Sequence, residues 1–192
     1  MLIEDIIRSR RSFYPAQFSG EKIEEDLLIH LLDLANWAPN HLNTEPWRFK
    51  IFADGKLEEL MKVLSQIYVE STDPDKIAQS KLEKYKYRAA KLSNVIAIVV
   101  EYDEKKRLPR IEESNAVSCA IQNLWLGISA TERIRGYWST GKLIYTKKFS
   151  EYLNLKANQE CLGLFYLGKL KEDFIEPKSS RNSIQDKIEW LR

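Results

Sequence analysis

Three short stretches carry residue types that could do chemistry. RSRRS, Arg8 to Ser12, offers cations and hydroxyls of the kind that hold a phosphate. APNHLNTEPWRF, Ala38 to Phe49, sets amide, imidazole and hydroxyl groups on a loop stiffened by two prolines. GYWSTG, Gly136 to Gly141, places backbone donors and two hydroxyls beside an aromatic. Together they suit a phosphorylated, planar, hydrogen-bonding molecule. Each stretch also has a plainer reading. Arg10 and Arg11 could be charges at the negative end of a helix, and His41 could fix a turn. Trp47 and Phe49 are the kind of residue that fills a core rather than a site.

GYWSTGKL nearly spells a phosphate loop, but Leu143 stands where a Ser or Thr must reach magnesium, and Tyr137 and Trp138 put bulk where backbone would wrap phosphate. There is no GxSxG and no GxGxxG after a strand, which argues against an activated serine and against a dinucleotide-binding fingerprint. Cys119 and Cys161 are read as two buried free thiols, and His30 and His41 lack the neighbours of a zinc site. An enzyme built this way would rely on a bound cofactor for its chemistry.

The elements that must position these residues can be read from hydrophobic spacing. LIEDIIRSR is a first helix, and EKIEEDLLIHLLDLANWA a second, with Ile23, Leu27, Leu28, Leu31, Leu32 and Ala35 on one face, starting after Ser19 or Gly20 and ended by Pro39. RFKIF alternates as a strand, KLEELMKVLSQIYVE is helical, and PDKIAQSKLEKYKYRAAK reads as one charged helix from Pro74. VIAIVVEY is apolar enough for a central strand covered on both faces. From Glu112 a long helix carries Ala116, Val117, Ala120, Ile121, Leu124, Trp125 and Ile128 on one stripe, with Gly127 as an interior weakness. IRGYW and CLGLFYLG are two more strands.

The 192 residues fit a single domain, 1–192, and the polar segment 170–192 is expected to pack on a partner subunit. Thirty basic against 28 acidic residues give a net charge of +2, too little field to gather nucleic acid. The longest apolar run is far short of the roughly 20 residues that span a bilayer, so no membrane partner and a cytoplasmic location are expected.

With Arg10, Arg11 and Ser12, the AP-x-H-x-x-x-x-PWRF loop, LPRIEE, GYWSTG and LGLFYLG in this order, the sequence resembles the nitroreductase family of FMN-dependent oxidoreductases, to about Lys169. The resemblance implies an α+β fold, a mixed, mainly antiparallel central sheet flanked by helices, working as a homodimer with FMN at the subunit interface. It implies that FMN meets Arg10, Arg11 and Ser12, then His41 and Asn43, then Trp138, Ser139 and Thr140, with Lys178 and Arg181 closing on the phosphate. Trp138 could pack under the flavin or present its backbone to it. The implied activity passes reducing equivalents from NADH or NADPH to a small-molecule acceptor, a nitroaromatic, quinone or activated alkene, and the flavin leaves no side chain an obligatory catalytic role. A flavin-binding protein without turnover, or another FMN chemistry such as dehydrogenation or dehalogenation, would use the same scaffold. Two departures stand out: Phe13, Tyr14 and Pro15 replace a stretch that commonly holds a further basic residue, and Glu45 stands where a glutamine is usual.

Overall fold

An unbroken apolar run must be covered on both sides, and the computed structural model, which describes residues 2–172, 174–175 and 180–192, does this for β2, Asn94–Glu101. Every residue of β2 except Glu101 is buried. Its neighbours are β1, Trp47–Ala53, and β4, Gln159–Lys169, while β3, Ile134–Ser139, pairs with β4 on the far edge. The order is β1-β2-β4-β3 and every strand pair is antiparallel. The expected mixture of parallel and antiparallel pairing is therefore corrected among the described residues. β2 and β3 do run in the same direction, joined by a long helix, but β4 inserts between them and turns each adjacency antiparallel.

Helices cover the two faces. On one face α2, Glu25–Asn36, and α5, Arg110–Ala130, pack Leu28, Leu31, Val117, Ile121, Leu124 and Ile128 against Ile96, Ile98, Phe165 and Leu167. On the other, α3, Gly55–Glu70, α4, Gln79–Lys91, and α6, Lys147–Tyr152, enclose Leu60, Met61, Leu64 and Phe149 with Val95, Ala97, Leu164 and Tyr166. The short α1, Ile3–Ser9, has no buried residue and leaves Ile3 and Ile7 exposed.

Four expectations change. The helix read from Pro74 is split: Pro74–Lys76 forms a tight turn, Ile77 is extended, and α4 begins only at Gln79. The Asp73 side chain caps this turn by accepting the Asp75 N–H, and the turn ends where Ile77 and Ala78 take extended backbone angles. α2 begins at Glu25, after Ser19, Gly20 and Ile23, though Ile23 is buried in the core beneath it. Gly127 is a close-approach site, since a Cβ there would fall 2.5 Å from Leu34 Cδ1, so its absence lets α2 press against α5. Cys119 is exposed on α5 and only Cys161 is buried.

One irregularity interrupts the pairing of β2 with β4. Ile98 faces Gly163 and Val99 faces Cys161, so Leu162 is the extra residue of a β-bulge. Gly163 has φ +155°, and the indole of Trp138 occupies the space a side chain would need. The Leu162 carbonyl freed by the bulge accepts the Trp138 Nε1–H at 3.3 Å.

Candidate functional site

The arginines after α1 are held by packing rather than by carboxylates. Arg10 is half-buried with its guanidinium carbon 4.3 Å from the ring centroid of Trp125, and Trp125 meets Phe165 edge-on at 5.2 Å. Burial lowers the Arg10 pKa, and the nearby charges of Arg181 and Arg11 lower it further. Three guanidiniums therefore share one locality. Arg11 donates Nη1 to the carbonyls of Arg8 and Arg10, yet its buried Nε has no acceptor among the described residues. A buried donor left unpaired costs about 1–3 kcal/mol, which an anion would recover. Neither Arg10 nor Arg11 is in an ion pair among the described residues. Ser12 comes next, exposed. Lys178 lies outside the described residues.

A path leads from this cluster to a cavity. The Phe13 N–H donates to the Gly136 carbonyl on the open edge of β3. Tyr14 then lies 4.9 Å from Tyr137, which stacks on Tyr166 at 4.8 Å and 8°. Tyr166 lines a cavity of about 440 Å³ between β3, α3 and α4. Its walls include Tyr68, Lys81, Tyr85, Arg88, Ser139, Gly141 and Lys142. Burial raises the pKa of Tyr85, Tyr137 and Tyr166, so these phenols keep their protons as donors. Arg88 lies 5.6 Å above the Tyr85 ring and 5.8 Å above that of Tyr166.

The structure divides the GYWSTG stretch. Strand alternation turns Trp138 toward the α5 side of the sheet, where it packs against the same core cluster as Trp125, while Ser139 borders the cavity on the opposite face. Thr140 is exposed beyond the end of β3. The Trp138 side chain is thus committed to β4, and only its backbone is near the cavity wall.

The proline-bounded loop lies elsewhere. The Trp47 indole donates to Asn36 Oδ1 at 2.9 Å, tying the end of α2 to the start of β1. Asn40 Oδ1 accepts the Glu45 N–H at 3.0 Å, and Arg48 donates to the Glu45 carbonyl. Between these ties Leu42, Asn43 and Glu45 all hold positive φ, at 56°, 51° and 43°. Left-handed geometry costs an L-residue roughly 1–2 kcal/mol, so the loop is held by its closures against local preference. His41 Nδ1 lies 2.9 Å from Glu112 Oε2 in the first turn of α5. Asn43 borders a separate polar cleft with Arg48, Tyr102 and Asn158. Glu45 is exposed.

Arg10 and His41 consequently meet α5 at different ends, at Trp125 and Glu112. Thirteen residues at the helical rise put those contacts roughly 20 Å apart. Within one chain the loop and the arginines do not converge.

Sequence reasoning missed Trp125 as the support of Arg10 and missed the whole α4 wall. Lys81, Tyr85 and Arg88 recur at i, i+4 and i+7, a same-face spacing that could have signalled them. Among the described residues no group of side chains could hold a metal, and no helix is long and apolar enough to cross a membrane.

Comparison with known proteins gives a consistent result. The family model described as Nitroreductase family matches residues 7–169. "Putative NAD(P)H nitroreductase YfhC" of Bacillus subtilis is 29% identical over 167 residues, 87% of this chain and 84% of that protein. The crystal structure of a nitroreductase-like family protein from Bacillus cereus superposes with a TM-score of 0.85 at 26% identity, covering all of this chain and 96% of that one. A nitroreductase with bound FMN from Bacteroides fragilis shares the fold, with a TM-score of 0.72 at 16% identity and full coverage of both chains.

Proposed function

The chain belongs to the nitroreductase family, and from that premise we propose that it is a homodimeric FMN-dependent oxidoreductase using NADH or NADPH. The observation that carries the proposal is the guanidinium cluster, with a buried Arg11 Nε lacking an acceptor among the described residues, connected by a row of tyrosines to a cavity lined by Tyr68, Tyr85 and Tyr166. The residues fit FMN. Arg10, Arg11 and Arg181 would hold its phosphate, Ser12 and Tyr14 would line its chain, and the cavity would take its ring beside Arg88. When bound, FMN supplies hydride acceptance from the nicotinamide and electron delivery to a nitroaromatic, quinone or activated alkene.

The protein's own residues bind and tune. Arg88, on the cavity wall without an ion-pair partner among the described residues, places positive potential at the polar edge of a bound ring. The Ser139 to Gly141 backbone offers N–H groups at the end of β3, and the phenols of Tyr85 and Tyr166 donate without ionising. The stacked and buried rings of Tyr137 and Tyr166 keep water from the near wall. No side chain is needed as an obligatory acid or base.

The roughly 20 Å between the two ends of the α5 site supports a dimer. In an antiparallel two-fold pairing of α5, the loop carrying His41 and Asn43 from one protomer would approach the Arg10 end of its partner. Ile111, Asn115, Cys119 and Gln122 form an exposed stripe at four-, four- and three-residue spacing on α5. Trp37, 80% exposed beside the loop, and Leu42 add apolar surface to that seam. The segment 180–192, which exposes Ile184, Ile188, Trp190 and Leu191, would pack on the partner as well.

The test is an absorbance spectrum of purified protein followed by anaerobic NADH titration. A yellow protein that bleaches on NADH and recolours on menadione is expected. A colourless protein that refuses added FMN would end the reading, and a yellow one that never oxidises NADH would leave a binding protein without turnover.

A further inference from the structure

We infer that the mouth of the α3–α4–β3 cavity selects an electron acceptor bearing an anionic group, in chemical class an aromatic carboxylate, through Lys81 and Lys142. The inference rests on the flavin reading above and deepens it. Three cations line this cavity, Lys81, Arg88 and Lys142, and no Asp or Glu does among the described residues. None of the three is in an ion pair among the described residues, although acidic residues on the same side of the fold are paired elsewhere, as Glu70 with Lys148 and Glu59 with Lys56. The Lys81 ammonium rests 3.8 Å from the Tyr68 ring centroid, a contact that orders a cation without neutralising it.

The two lysines differ from Arg88 in position. Arg88 lies over Tyr85 and Tyr166 in the interior wall, where the ring of the cofactor would sit. Lys142 comes after the exposed Gly141 at the start of the turn Lys142–Tyr145, and Lys81 is in the first turn of α4. Ser71, Thr72 and Thr146 add hydroxyls beside them, and Leu64, Leu143 and Ile144 give an apolar floor. A flat apolar body with one carboxylate matches that lining: the ring meets the aliphatic floor and the carboxylate meets two ammonium groups. A neutral ring would leave both lysines to solvent and gain nothing from them.

The test compares 4-nitrobenzoate with its neutral isostere 4-nitrobenzamide. In the reaction followed, NADH gives up a hydride to become NAD⁺, the nitro group is reduced by two electrons to nitroso, and one oxygen leaves as water with a solvent proton. Wild-type enzyme is expected to favour the acid in kcat/KM by about tenfold or more. The double variant Lys81→Met with Lys142→Met should lose that preference through KM, keep the amide within about twofold, and keep its FMN absorbance. Calorimetric titration with unreactive benzoate and benzamide supplies a reading independent of turnover, with benzoate binding lost in the variant. Equal use of the two acceptors by wild type, or equal loss of both in the variant, overturns the inference while the flavin reading stands. A variant impaired only with NADPH and not NADH, using neutral menadione, overturns it in favour of a donor-phosphate site. Colourless protein inert with every donor and acceptor overturns both.

Discussion

The guanidinium of Arg10 rests on the indole of Trp125 at 4.3 Å, so a residue of the long central helix supports a cation that no carboxylate holds among the described residues. Support without neutralisation leaves the charge available to an anion. Arg11→Ala should weaken FMN binding by about tenfold or more, the scale of a lost charge-assisted hydrogen bond. Trp125→Leu, which keeps much of the apolar packing but removes the ring, should weaken it by only a few-fold. Fluorescence quenching of FMN measures both, and equal affinities in wild type and Arg11→Ala would remove the phosphate from this place.

Gly163→Ala should be among the costliest small substitutions in the chain. It forces a side chain onto φ +155° and into the space of the Trp138 indole, and a loss of about 2 kcal/mol or more is expected. Thermal unfolding should show a drop of several degrees, accompanied by a change in tryptophan fluorescence as the bond to the Leu162 carbonyl breaks. An unchanged melting curve would mean that the bulge tolerates a Cβ.

Acid should loosen the entry to α5 at a defined point. Hydrogen bonds from Arg107 hold the Asp103 carboxyl well below its usual range, at about 2. The folded pKa is depressed, so this contribution is fully present above the ordinary value of 3.8 and is lost as pH falls toward about 2. A carbon-detected NMR titration should find the Asp103 midpoint near about 2 in wild type and within the ordinary carboxylate range in Arg107→Ala. Matching midpoints in the two proteins would disprove the pairing in solution.

The two thiols should behave differently. Burial pushes the Cys161 thiol up to about 11, with a backbone hydrogen bond from Gly163 acting in the opposite direction, and it should resist alkylation at neutral pH in the folded protein. Cys119 is exposed on α5 and lies midway between the contacts at Glu112 and Trp125. An antiparallel α5 pair would therefore bring two copies of Cys119 together. A short bis-maleimide should yield a covalent dimer on a denaturing gel, and Cys119→Ser should abolish it. Retention of the cross-link in that variant would refute the pairing.

What could be read from the residues was set by their periodicity. β2 announced itself by an unbroken apolar run and α5 by its stripe from Ala116 to Ile128, because burial imposes those patterns directly. The break before α4 was hidden because it lies in the extended backbone of Ile77 and Ala78, residue types that carry no stop signal and fit a continuous helical spacing. The cavity was hidden for another reason. Lys81 and Arg88 look like solvated charges on a basic helix until the fold sets β3 and Tyr166 opposite them. Likewise the RSRRS and APNHLN stretches showed suitable chemistry, but only α5 reveals that they stand at opposite ends of a rod.

Under the proposed pairing of protomers, that rod would make specific activity depend on how concentrated the protein is. If each end of α5 contributes half of a different reaction centre, separating the protomers dismantles both centres in a single event. Serial dilution should then extinguish turnover with the same midpoint as dissociation seen by sedimentation, and added FMN, which favours the assembled form, should move both midpoints to lower concentration together.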